Sequence, residues 1–209
     1  MAKKTPVEIN QEVEALIARK EAANDSSYSK EELDLLLQYS GSGGKGVVAA
    51  GKVNQLYEFY TPLWLAEKMW ELAHHHGYDG GPVLEPSCAT GNLFVHAPAE
   101  SVKVGFETNP TTAKIVKVRF PEANIIADYF ESAFMEPPRF TTRLKKQVSW
   151  LKEYPFSLVI GNPPYGNYKS LFSSYFKKPN VQTVENFFMY YGLQLLREGG
   201  LVIYLTSSN

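Results

Sequence analysis

Apolar positions in this chain change their pattern once, close to Thr61. Before that point Val7, Ile9, Val13, Leu16 and Ile17 recur near helical spacing, which predicts an amphipathic helix over residues 5–24. Ser29-Lys-Glu-Glu32 then has the form of a capping box, in which the Ser hydroxyl and the Glu carboxylate satisfy orphan amides. A second helix is expected there, carrying Leu33, Leu35, Leu36 and Leu37 and ending at the glycine-rich run 41–46. Residues 1–50 therefore read as a small helical appendage followed by a flexible Gly-rich linker. The glycine run is not a phosphate loop. Tyr39 stands where that loop needs its first Gly, and Gly46 stands where it needs Ser or Thr.

From Thr61 onward the pattern becomes an alternation. Helices are expected over 62–76, near Asn92, over 110–119 and over 184–197. Strands are expected over 82–85, 102–107, 124–127, 156–160 and 201–205. Strand and helix in turn imply an α/β fold with a mostly parallel sheet and helices on both faces. Sheets of that kind bind ligands at the carboxyl ends of their strands.

Those strand ends carry an acid, an acid, an acid and an amide. The first strand runs into Glu85-Pro86-Ser87-Cys88-Ala89-Thr90-Gly91, a turn of small residues that lets a ligand approach the backbone. Glu107 ends the second strand, about 20 residues on, where a carboxylate can accept both hydroxyls of a ribose. Asp128 ends the third and can accept from an adenine amino group, with Tyr129 beside it. The turn lacks the G-x-G-x-x-G form, so no dinucleotide pyrophosphate is implied; a nucleoside with a cationic centre, such as S-adenosylmethionine, suits three acids in series. The fourth strand leads into Asn162-Pro163-Pro164-Tyr165. Two prolines fix the backbone, so the Asn side chain and the Pro163 carbonyl can be aimed at one point. An aromatic amine held by two acceptors is drawn toward tetrahedral geometry, which frees its lone pair for attack. Tyr165 offers a face on which a base could stack, worth about 1–3 kcal/mol, against the few kcal/mol needed to flip a base out of a duplex.

These residues resemble the DNA adenine-N6 methyltransferases of the gamma order, in which the cofactor motifs precede the catalytic one. Residues 85–91 look like their motif I, Glu107 like the motif II acid, Asp128 like the motif III acid, and Asn162 to Tyr165 like the catalytic motif IV. Phe59-Tyr60-Thr61-Pro62 is similar to their motif X, which helps to hold the methionine part of the cofactor. The resemblance covers residues 57–209 and implies a Rossmann-like class I methyltransferase domain over 51–209. Its implied reaction is displacement of a methyl group from S-adenosylmethionine onto N6 of an adenine flipped out of double-stranded DNA, with Tyr129 flanking the cofactor adenine. Ala89 departs from the pattern, since most relatives have Gly there. Against the family fold, the chain looks C-terminally incomplete and without a target recognition domain, so further domains or a specificity module outside it are expected. A restriction–modification or anti-restriction setting is implied by the resemblance alone.

Charge sharpens this picture. A chain of 209 residues with a formal net charge of −1 lacks the basic excess by which a protein grips a phosphate backbone unaided. Either the substrate is no polyanion or most of the grip lies outside these residues. Methylation of a protein glutamine or an RNA base amine keeps the same chemistry and stays open, as does a non-catalytic, cofactor-binding or DNA-associated module of a larger protein. No apolar run reaches the roughly 18 residues of a membrane span. The single cysteine, Cys88, excludes an internal disulfide framework and fits a reducing cytoplasm, and it reads as a small packing residue. His74-His75-His76 point in different directions on a helix, so no metal site is expected. Two lysine- and arginine-bearing stretches remain. Arg139, Arg143, Lys145 and Lys146 could touch phosphate or be a solvated face. Tyr168, Phe172, Tyr175 and Phe176, interleaved with Lys169, Lys177 and Lys178, could line a nucleic-acid channel or form a loop without such a role.

Overall fold

The computed structural model describes residues 4–41, 45–47, 53–55, 60–135, 156–165, 169 and 181–206. Phe59, the basic stretch around Arg139 to Lys146 and the aromatic positions 168–176 with Lys177 and Lys178 lie outside the described residues.

Helix α1 (Pro6–Ala22) starts at Thr5, whose side chain accepts from the Glu8 amide while Glu8 reaches back to the Thr5 amide. Helix α2 (Lys30–Leu36) is capped in the same reciprocal way by Ser29 and Glu32. The end of the expected linker is a strand, β1 (Lys45–Val47), which pairs antiparallel with β2 (Val53–Gln55) just beyond it, Val47 opposite Val53.

Five parallel strands follow, β3 (Val83–Glu85), β4 (Lys103–Phe106), β5 (Asn124–Ile126), β6 (Phe156–Gly161) and β7 (Leu196–Tyr204), ordered β5-β4-β3-β6-β7. Helix α3 (Leu63–His75) precedes β3, α4 (Pro110–Arg119) lies between β4 and β5, and α5 (Val184–Gln194) lies between β6 and β7. The segment at Asn92–His96 is a 3-10 turn and not the α-helix expected there, because it leaves Gly91 in a left-handed conformation (φ 78°). A second 3-10 turn spans Phe130–Phe134. Helix α5 stops at Gln194, short of the expected 197. The chain between Leu196 and Leu201 instead bulges against β6, with Gly199 at φ 74°.

Side-chain alternation along the strands builds two cores. Val83, Ile125, Leu158 and Ile160 pack with Met69 and Trp70 of α3 and Val116 of α4. Leu84, Val104, Phe106 and Val159 point to the opposite face, where with Phe156 they pack against Phe130, Phe134 and the α5 residues Phe187 and Phe188. Helices thus cover both faces, as the alternating pattern predicts. A third cluster joins Val13, Leu16, Ile17, Leu36 and Tyr39 to Ile115, so α1 and α2 pack on the outer side of α4. Lys114 pairs with Glu21 across that contact at 2.7 Å.

Candidate active site

Chain order reverses in this sheet between β3 and β6, and at such a switch point the loops leaving neighbouring strands part and open a crevice. A small cleft lies there, lined by Tyr60, Thr61, Glu85, Ser87, Cys88, Ala89, Thr90, Asn92 and Asn162. The fold therefore brings Tyr60, Thr61, Glu85, Ser87 and Asn162 to one place from three distant stretches of chain. The Ser87 hydroxyl donates to the Asn162 carbonyl at 3.3 Å and ties the two strand ends together.

Glu85 is 3% exposed, and its Oε2 is buried without a hydrogen-bond partner. Burial raises its carboxyl well above the ordinary range; Glu107 pushes the same way and Arg119 opposes them. An orphaned buried acceptor is expensive. Glu85 lines the crevice, where a cationic group would offer its carboxylate a partner. The neighbouring Cys88 thiol is also raised by burial, then by Glu85 and Glu107. Cys88 packs where Gly105 leaves room, since a Cβ at Gly105 would meet its sulfur at 2.8 Å.

Glu107 is held by two amides. Ala89 N–H donates to Oε2 at 2.9 Å and Asn109 N–H to Oε1 at 2.7 Å. These bonds orient the carboxylate. Ala89 sits at φ 46°, in the left-handed region. That conformation explains why glycine suits the position, and Ala89→Gly is expected to stabilise the fold by up to about 1 kcal/mol in urea denaturation. Gly91 serves packing: a Cβ there would lie 2.5 Å from Val116 Cγ2 and 2.9 Å from Phe120 Cε2, so α4 can press against the loop.

Asp128 lies one strand further out, where the Glu107 amide bonds the Ile126 carbonyl at 3.0 Å. Its Oδ1 accepts from the Tyr129 amide at 2.6 Å, and Tyr129 packs on the core under α5. Tyr60 donates to or accepts from the Thr112 hydroxyl at 3.1 Å and touches the α1–α2 cluster. Pro86 is buried beside Gly161, 3.4 Å from where a Cβ would stand.

On the other side of the crevice Asn162 is half-buried and its Oδ1 accepts from the Tyr165 hydroxyl. Pro163 is buried; Pro164 and Tyr165 are partly exposed. Tyr204 buttresses this segment from behind, because its ring fills the space that Gly161 and Gly192 leave. Three residues of the cleft and one behind it escape sequence reasoning: Ala89, as an amide donor; Thr90; Asn92, whose Nδ2 donates to the Thr61 carbonyl at 2.9 Å; and, outside the lining, Arg119. An arginine in the last turn of a helix reads as a complement to the helix dipole, so nothing in the sequence marked it for this loop.

An all-parallel sheet of this order, with acids at the first three strand ends and an amide at the fourth, has the Rossmann-like class I methyltransferase architecture. The chain belongs to the Eco57I restriction-modification methylase family, whose model matches residues 85–209. It is 27% identical over 180 residues to the defense against restriction protein B of Escherichia phage P1, covering 85% of this chain and 7% of that protein. The modification methylase CviBIII of Paramecium bursaria Chlorella virus NC1A is 29% identical over 112 residues, 51% of this chain and 25% of that protein. The methyltransferase subunit of a type I restriction-modification system from Streptococcus thermophilus shares the fold, with a TM-score of 0.55 at 20% identity over 84% of this chain and 38% of that one. This chain thus spans a small part of the curated relatives it matches. The cofactor of such a methylase is S-adenosylmethionine. The orphaned Glu85 oxygen and the left-handed Ala89 turn fit a cationic nucleoside that must approach the backbone closely.

Among the described residues no group of His, Cys, Asp and Glu could hold a metal ion. No described helix is long and apolar enough to cross a membrane.

Proposed function

We propose that this chain transfers a methyl group from S-adenosylmethionine to the exocyclic N6 of adenine in DNA. The observation that carries the proposal is that Asn162 lines one crevice with Glu85, whose buried Oε2 has no hydrogen-bond partner. Glu85 takes the cofactor's cationic methionine end, with Tyr60, Thr61 and Ser87 around it. Glu107 takes the ribose hydroxyls, and Asp128 with Tyr129 takes the adenine. When bound, S-adenosylmethionine supplies a methyl group on a positively charged sulfur, open to displacement by an amine lone pair. Asn162 Oδ1 and the Pro163 carbonyl accept the two amine hydrogens of the target base and so localise its lone pair, while Pro164 keeps the turn rigid. Tyr165 stacks on the base; for that its hydroxyl must give up Asn162 Oδ1, which the incoming amine replaces.

The restriction and modification proteins among its relatives support DNA as the polymer. The net charge of −1 supports a division of labour in which parts outside these residues grip and read the duplex. Incubation with methyl-labelled S-adenosylmethionine and equal masses of unmethylated DNA, RNA and protein tests this. Label in DNA supports the proposal, and label confined to RNA or protein overturns it.

Glu85 also links function to stability. Its folded-state carboxyl is raised, so its contribution favours the fold at low pH and is lost as pH rises through the raised value. Glu85→Gln is therefore expected to raise the Tm of the cofactor-free chain at mildly alkaline pH, by an amount that shrinks on acidification. The same change weakens S-adenosylmethionine binding. A variant that gains stability and still binds the cofactor as tightly as the wild type would remove Glu85 from the site.

A further inference from the structure

We infer that Arg119 is a positioning residue of the cofactor pocket, locking the loop after β3 to the segment before α3 through Thr90 and Asn92. The inference rests on the cofactor reading above. Arg119 ends α4, yet its guanidinium turns to the loop. Nη1 donates to the Thr90 carbonyl and, at 2.8 Å, to Asn92 Oδ1. The Asn92 amide nitrogen then donates to the Thr61 carbonyl at 2.9 Å. Thr61 and Thr90 are buried, and Asn92 lines the cleft with both. One cation thus fixes two walls of the crevice, from segments that share no strand.

The site is well supported on its outer side. The Arg119 guanidinium lies over the Phe120 ring at 5.2 Å, and that ring packs edge-on to Phe94 just after the loop. At the opposite end of α4, Asn109 caps the helix and donates its amide to Glu107. Helix α4 therefore sets both the loop and the ribose-facing acid. Arg119 also acts on charge. Among the described residues, Glu107 at the end of β4 raises the Glu85 carboxyl and Arg119 lowers it, with the Cys88 thiol buried beside it. The guanidinium is itself pushed down to about 10 by burial, against the attraction of Glu85. It remains charged at neutral pH.

Calorimetric titration of S-adenosylmethionine into wild type, Arg119→Gln, Arg119→Lys and Asn92→Ala, from mildly acid to mildly alkaline pH, tests the inference. Arg119→Gln is expected to weaken binding about tenfold or more, the worth of a lost charged hydrogen bond. On acidification its affinity should also fall away at a higher pH than in the wild type, because Glu85 loses the cation that opposes the rise of its carboxyl. Arg119→Lys keeps the charge and loses the fork, so it restores the pH profile without the full affinity. Asn92→Ala removes the link to Thr61 and one of the two Arg119 bonds, leaving the bond to the Thr90 carbonyl; combined with Arg119→Gln it should cost less than the two separate effects multiplied. A purely structural role would lower Tm and leave Kd and its pH profile unmoved. Arg119→Gln and Asn92→Ala chains that bind like the wild type overturn the inference. If Arg119→Gln does not fold, Asn92→Ala with unchanged affinity overturns it alone. Wild type that binds no cofactor overturns the cofactor reading instead.

Discussion

Asn162→Ala is expected to cut methyl transfer about 100- to 1,000-fold, the typical cost of one preorganised group at a reacting centre, with S-adenosylmethionine affinity unchanged. The separation follows from geometry. The Asn162 Oδ1 meets the Tyr165 hydroxyl, on the side where the proposal puts the amine. Its backbone carbonyl is bonded by Ser87 of the loop after β3, and the substitution leaves that carbonyl in place. Pro163 stays aimed because the prolines and the Tyr204 buttress set the backbone. Single-turnover transfer and calorimetry on the same preparation check it. Transfer at the wild-type rate would mean that the amide does not hold the amine. A parallel loss of cofactor affinity would mean that Asn162 serves the pocket and not the reaction.

Glu107→Ala should do the reverse at the binding step and weaken S-adenosylmethionine by at least about 100-fold. Two charge-assisted bonds to a ribose diol at about 1.5–3 kcal/mol each account for that much. Losing the Ala89 and Asn109 amide bonds adds to it, because Ala89 then has less to hold it in the left-handed region. Adenosine and 2′-deoxyadenosine separate the two causes. Wild type should favour adenosine clearly, and the variant should bind both equally weakly. A variant that still discriminates between them would place the ribose elsewhere.

Much of this fold was legible in the sequence, for physical reasons. The capping box at Ser29 is local chemistry, complete within four residues, and α2 starts where it announces. The five sheet strands are short apolar runs bounded by turn residues, and α4 begins at Pro110 and ends at Arg119 as its flanks imply. Strand-end residues were legible because a parallel sheet must end every strand on one side. What depended on tertiary contact was not. The β1–β2 pairing needs a partner across the linker, and the early end of α5 follows from the bulge of β7 against β6. Gly91 looked like a ligand-facing glycine, yet its missing side chain makes room for Val116 and Phe120. The Arg119–Asn92–Thr61 chain spans 58 positions between residues with no shared motif, so only the folded structure brings it together.

The most direct measurement is the identity of the labelled nucleoside after transfer from methyl-labelled S-adenosylmethionine to unmethylated DNA, followed by complete digestion and chromatography. Label in N6-methyladenine, lost with Asn162→Ala, is the predicted result. Label on cytosine, or the same label from the Asn162→Ala chain, would contradict it.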